Sequence, residues 1–166
     1  MENCGTLVLG IGNVFLADEA VGVRLVEALV RRFNIPPELD VIDGGTSGME
    51  MLQDMANRDH LIVLDAVASK KHAPGSVVIL KDEQVPVMFT TKISPHQLGL
   101  SDVLSALTMT DEFPKKLTLV GVVPESLEFN QPLSETVQKA FDVALSRVLE
   151  LLDEDGYKLT EKSIAS

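Results

Sequence analysis

With 166 residues, 45% of them hydrophobic, and a formal charge of −11, the chain can bury the core of a single domain, while its surface repels phosphate backbones, whose binding needs clustered Lys and Arg. Nucleic acid is excluded as a partner on that ground, and no apolar run approaches the roughly 18 to 20 residues of a membrane span. No basic stretch opens the N-terminus and the one cysteine, Cys4, can form no internal disulfide, so a signal peptide and an oxidising compartment are not expected and the cytoplasm is.

Leu7 to Ile11 is a short apolar run that ends in Gly10-Ile11-Gly12-Asn13, the pattern of a buried strand entering a tight turn that Asn13 braces. A helix follows. Val21, Leu25, Ala28, Leu29 and Phe33 recur at three- and four-residue spacing, Asp18 and Glu19 stand at its N-terminal end, Arg31 and Arg32 at its C-terminal end, and Pro36-Pro37 stops it. Leu39 to Ile42 predicts a second strand, followed by Asp43-Gly44-Gly45-Thr46-Ser47-Gly48 and a short helix with Met51, Leu52 and Met55. Leu61 to Leu64 predicts a third strand, again closed by an aspartate, Asp65. Pro74-Gly75 turns the chain into Val77 to Leu80, a fourth strand whose link is too short for a helical crossover. It should run antiparallel to its predecessor if the two pair directly.

Leu100 to Met109 reads as helix, and Leu117 to Val123 is apolar and β-branched enough for a central strand. From Ser134 to Leu152, Val137, Ala140, Phe141, Ala144, Leu145, Val148, Leu149 and Leu152 define one face of a long helix. The alternation of strand and helix patterns predicts a three-layer α/β/α sandwich with a mostly parallel, twisted five-stranded sheet, a single domain over residues 1–156, and a frayed tail over 157–166.

In such a sheet, residues just past the strand ends gather at one edge, where sites form. Glu19, Asp65 and His96 hold such positions. Two carboxylates and one imidazole suit a borderline divalent transition metal with coordination positions left for water or a second macromolecule. Each residue also has a plainer reading: Glu19 complements a helix dipole, Asp65 caps a helix or a loop, and His96, after Ser94-Pro95, bonds loop backbone. Asp43 reads equally as an Asx turn that organises Gly44 and Gly45 or as an acid that activates water. The Gly10-x-Gly12 turn superficially matches a dinucleotide fingerprint, but Phe15 stands where the third glycine belongs, and Asp18 and Glu19 would repel a pyrophosphate. Ser47 misses the spacing of a nucleophile elbow. His60 and His72 read as surface or strand-start residues, Gln97 and Glu125-Ser126 as cleft lining or ordinary surface, and Met49, Met51 and Met55 as core filler before they read as a binding stripe.

Four stretches in order, Gly10-Ile11-Gly12-Asn13-Val14-Phe15-Leu16-Ala17-Asp18-Glu19-Ala20-Val21-Gly22, then Asp43-Gly44-Gly45-Thr46 with Gly48, then Asp65-Ala66, then Ser94-Pro95-His96-Gln97-Leu98-Gly99, resemble the motif set of the [NiFe]-hydrogenase maturation endopeptidases. The similarity runs from about Leu7 to Leu152. The resemblance implies an enzyme that removes a short C-terminal peptide from the precursor of a hydrogenase large subunit after nickel insertion. It further implies that Glu19, Asp65 and His96 contact nickel carried by that precursor, a role another divalent transition metal could fill. The expected partner is the precursor, met by a monomer. A nickel-binding accessory module without catalysis and a metal-dependent hydrolase of a small substrate would share these ligands.

Overall fold

The computed structural model describes residues 5–85 and 95–163, the side chains of residues 95–98 excepted. Five strands, β1 (Thr6–Ile11), β2 (Asp40–Gly45), β3 (His60–Ala66), β4 (Val77–Lys81) and β5 (Lys116–Val122), form one sheet in the order β2-β1-β3-β5-β4. The first three and β5 run parallel. At the edge, β4 lies antiparallel to β5, and it pairs with that later strand, not with β3, its neighbour in sequence. Helices α1 (Val21–Arg32), α2 (Leu52–Met55), α3 (Pro95–Met109) and α4 (Glu135–Glu154) connect and cover it.

Strand alternation divides the core in two. Val8, Ile62, Leu64, Val120 and Val122 face α1 and α4, whose Leu25, Leu29, Ala144, Leu145 and Val148 close over them. The intervening residues Leu7, Leu9, Leu61, Val63, Leu117 and Leu119 face the other way, against Met55 of α2 and Val103, Leu104 and Leu107 of α3. Because β1 and β3 are buried along their whole length, they read as continuous apolar runs, the mark of strands covered on both faces.

Three segments depart from expectation. Where Leu39 to Ile42 reads as strand, β2 begins at Asp40 and continues through Asp43-Gly44-Gly45. Pairing with β1 carries the strand across a register shift at Gly10/Ile11, where Gly10 opposes Asp43 and Ile11 opposes Gly45. Glycine's low strand propensity hides that extension from the sequence. The helix expected from Leu100 begins at Pro95, a residue suited to a first turn because its missing N–H has no partner to lose there. Beyond Gly156 the chain does not fray through Ser163. Tyr157 and Leu159 pack on the α1/α4 core, Phe33 and Glu161 form a bridge, and the Asn34 and Lys162 N–H groups donate to the Thr160 and Arg32 carbonyls at 2.9 and 2.8 Å. Two apolar residues in alternation are too short a pattern to read as structure in advance.

Candidate active edge

The candidate residues Glu19 and Asp65 are placed by backbone contacts that only glycine permits. A Cβ on Gly22 would lie 2.0 Å from the Leu64 carbonyl oxygen and 2.5 Å from that of Ile11, and one on Gly12, where φ is +142°, would lie 1.9 Å from the Glu19 carbonyl oxygen. These glycines let the start of α1 and the 3-10 turn Ala17–Ala20 press onto the carboxyl ends of β1 and β3. Glu19 lies in that turn and Asp65 one residue beyond Leu64, and both are buried, at 1% and 0% exposure. Asp65 shares strand parity with Leu61 and Val63, so it belongs to the face that α3 covers, and its Oδ1 accepts the Ala66 N–H at 2.8 Å.

His96 is the second residue of α3 and so belongs to a helix, not a loop; its side chain, like that of Gln97, and Cys4 lie outside the described residues. What fixes the start of α3 near the β2 loop is a glycine pair: a Cβ on Gly99 would stand 3.3 Å from the Gly48 Cα. Asp43, exposed at the register shift, accepts the Gly45 N–H on Oδ1 at 2.9 Å. That bond is the Asx turn, and Gly45, at φ +51°, takes the left-handed conformation that the turn needs. Glu19, Asp43, Asp65 and the start of α3 therefore line one carboxyl edge of the sheet. Among the described residues no three His, Cys, Asp or Glu side chains form a metal-holding group.

Asp18 has a different task from its neighbour. Completely buried, it accepts the Ser134 N–H on Oδ1 at 2.6 Å, and on Oδ2 the Glu125 and Ser126 N–H groups and the Ser134 hydroxyl at 2.8, 2.9 and 2.7 Å. Ser134 in turn caps α4 by accepting the Val137 N–H. Asp18 thus ties the turn that bears Glu19 to the loop after β5 and to the last helix. Acidity beside a helix start was legible in the sequence; four donors converging from residues 125–134 were not.

A family model described as hydrogenase maturation protease matches residues 23–151, and the hydrogenase 2 maturation protease of Escherichia coli (strain K12) is 63% identical over 150 residues, covering 90% of this chain and 92% of that protein. The chain belongs to the hydrogenase maturation protease family. The hydrogenase expression/formation protein HoxM of Azotobacter vinelandii is 43% identical to the protease over 152 residues, 90% of this chain and 73% of that one. The structure of the hydrogenase maturating endopeptidase HybD from E. coli superposes on it with a TM-score of 0.91 at 59% identity, covering 98% of each chain. The protease has that α/β fold, the mostly parallel five-stranded sheet between helices expected from its sequence.

At the opposite, amino edge of its sheet the protease carries a second polar cluster. His60, read as a surface or strand-start residue, does open β3 but is only 4% exposed. Its Nδ1 meets Asp155 Oδ2 at 2.5 Å and its Nε2 the Thr118 hydroxyl at 2.7 Å, while Thr6 Oγ1 and Lys116 Nζ donate to the same Asp155 carboxylate at 2.9 and 2.8 Å. Burial holds the His60 imidazole below the usual histidine range, against the opposing pull of Asp155. For Asp155 burial acts the other way, but the bonds from Lys116, His60 and Thr6 outweigh it and keep the carboxyl below its ordinary value. Every member has a structural partner, so the cluster ties β1, β3 and β5 to the end of α4.

Proposed function

We propose that the protease removes a C-terminal peptide from the nickel-loaded precursor of a [NiFe]-hydrogenase large subunit, with Glu19, Asp65 and His96 meeting the nickel that the precursor carries. The observation that supports this most is the burial of two carboxylates from separate segments at one carboxyl edge, held there by the Gly12 and Gly22 contacts, beside the helix whose first turn contains His96. Carboxylate oxygen with imidazole nitrogen is a donor set for a borderline divalent ion. To act as ligands both carboxyls must be ionised and the imidazole neutral.

Nickel here is cargo of the substrate and serves as a recognition device. A site that held the ion tightly without precursor would strip the metal it is meant to verify, so three donors with open positions are the appropriate strength. Asp43, solvent-exposed on the same edge, is the acid we assign to draw a proton from the attacking water.

The deciding assay offers purified protease a nickel-loaded and a nickel-free precursor and follows the C-terminal mass loss. The loaded form should shorten and the nickel-free form should not. Glu19→Gln and Asp65→Asn, which keep side-chain volume, should fold and lose at least about a hundredfold in cleavage rate, the scale on which positioned catalytic groups act. Cleavage of both precursors at equal rates would refute the nickel reading while leaving the family assignment intact.

A further inference from the structure

Beside the candidate edge the protease exposes a contiguous apolar face built on two aromatic rings. Phe15 and Phe129 are 57% and 68% exposed, their ring centroids 6.3 Å apart, with Val14 and Leu127 exposed alongside. Among the described residues these are the only aromatic rings left largely open to water. Beside the ring pair, the backbone itself joins the two loops. Leu16 and Phe129 form an antiparallel bridge, the Asn130 N–H donates to the Phe15 carbonyl at 2.8 Å, and the Phe15 N–H donates to Asn13 Oδ1 at 2.9 Å. An aromatic face left in water where the backbone already joins its two loops marks a binding surface.

This face is continuous with the active edge. The Glu19 N–H donates to the Leu16 carbonyl at 2.9 Å, and the Asp18 N–H to the Ser126 carbonyl at 3.0 Å. The same bonds that position the Glu19 turn therefore position both halves of the apolar face. Exposed Glu125 and Glu128 flank Leu127 and Phe129. Two copies of the chain joined through this face would bring their carboxylates together on molecules that each carry −11, which disfavours self-association and favours a partner with positive charge.

We propose that Val14, Phe15, Leu127 and Phe129, with Glu125 and Glu128 at their border, dock the large-subunit precursor by taking an apolar segment of it that carries a basic side chain. The proposal rests on the reading of the Glu19 and Asp65 edge as the active one. It adds a source of affinity that does not depend on nickel.

The test measures steady-state cleavage of nickel-loaded precursor by Phe15→Ser and Phe129→Ser variants, together with sedimentation of the protease alone. Both positions are exposed, so thermal melting should match the parent. KM should rise about tenfold for each ring removed, as for a central aromatic anchor. Glu128→Lys keeps both rings and should raise KM at low ionic strength, with the effect shrinking as salt is added. Glu19→Gln, slowed at least about a hundredfold in cleavage, should still capture the precursor, and adding Phe129→Ser to it should weaken capture about tenfold. An unchanged KM in both Phe variants, a loss confined to kcat, or a dimer of the protease that Phe129→Ser dissociates would each overturn the proposal. Normal cleavage by Glu19→Gln would instead overturn the reading of the acidic edge, an outcome separate from the KM result.

Discussion

Asp18 and Glu19 are adjacent acids with the same burial and opposite uses. Asp18 accepts four donors, three of them backbone N–H groups from the loop after β5 and the start of α4. Removing its carboxylate takes the acceptor from four part-buried bonds at once, and a donor left unpaired away from water costs more than its bond contributes when made. Asp18→Ala should therefore destabilise the fold by about 3 kcal/mol or more, counting charge-assisted bonds and the disturbed Ser134 cap. A lowered urea midpoint at constant m-value would check this. A change within about 0.5 kcal/mol, ordinary for a surface site, would show that the bonds to Asp18 are dispensable.

The glycines that bracket the 3-10 turn decide how closely α1 approaches the sheet. At Gly22 a methyl group would overlap the Leu64 and Ile11 carbonyl oxygens, both backbone atoms that no rotamer change can move aside. Gly22→Ala must push the helix start outward, carrying Glu19 away from Asp65. Overpacking of this kind costs typically about 1 to 3 kcal/mol, and a displacement on the order of 1 Å near the chemistry can cost about a hundredfold in rate. The expected outcome is a protein that still folds, with a lower melting temperature and a cleavage rate reduced far beyond its loss of stability. Activity measured well below the melting transition separates the two effects. At Gly156, by contrast, a Cβ would meet nothing, so its constraint is the left-handed φ of +94° alone.

Seen as a whole, the molecule sets the acids we assign to the reaction and a second, purely structural polar cluster at opposite edges of one sheet. The carboxyl edge bears Glu19, Asp65 and Asp43, and the amino edge bears the His60, Asp155, Lys116, Thr6 and Thr118 cluster. Both titrating members of that cluster have depressed pKa values, His60 through burial and Asp155 through the bonds it accepts in spite of burial. A depressed value in the folded state means that the unfolded chain binds protons more readily, so stability is fully present above the unfolded pKa and falls as pH drops. For His60 the loss begins near its ordinary value of 6.5, and for Asp155 near 3.8. The melting temperature should hold steady above about pH 7 and decline by a few degrees toward pH 5. His60→Asn, with no imidazole to charge, should flatten that limb; an equal decline in the variant would assign it to other groups.

The strands and helices were legible because burial imposes period. Continuous apolar runs announced β1, β3 and β5, and the three- and four-residue recurrence announced α1 and α4. That Glu19, Asp43, Asp65 and His96 would stand toward one sheet edge could be anticipated from their places after strands, because a parallel sheet sends all such positions to one side. Other features depended on chain segments far apart in sequence. The extension of β2 through Asp43-Gly44-Gly45 follows from its pairing with β1, the docking of residues 157–163 from the surface offered by α1, and the strand beside β4 from sheet order. Asp18 and His60 looked like ordinary polar residues because their partners, Ser134 and Asp155, are more than ninety residues away. Periodicity is a local record of which face is apolar, whereas a buried polar residue is explained by the donor or acceptor that folding brings to it, and that partner leaves no trace in the neighbouring sequence.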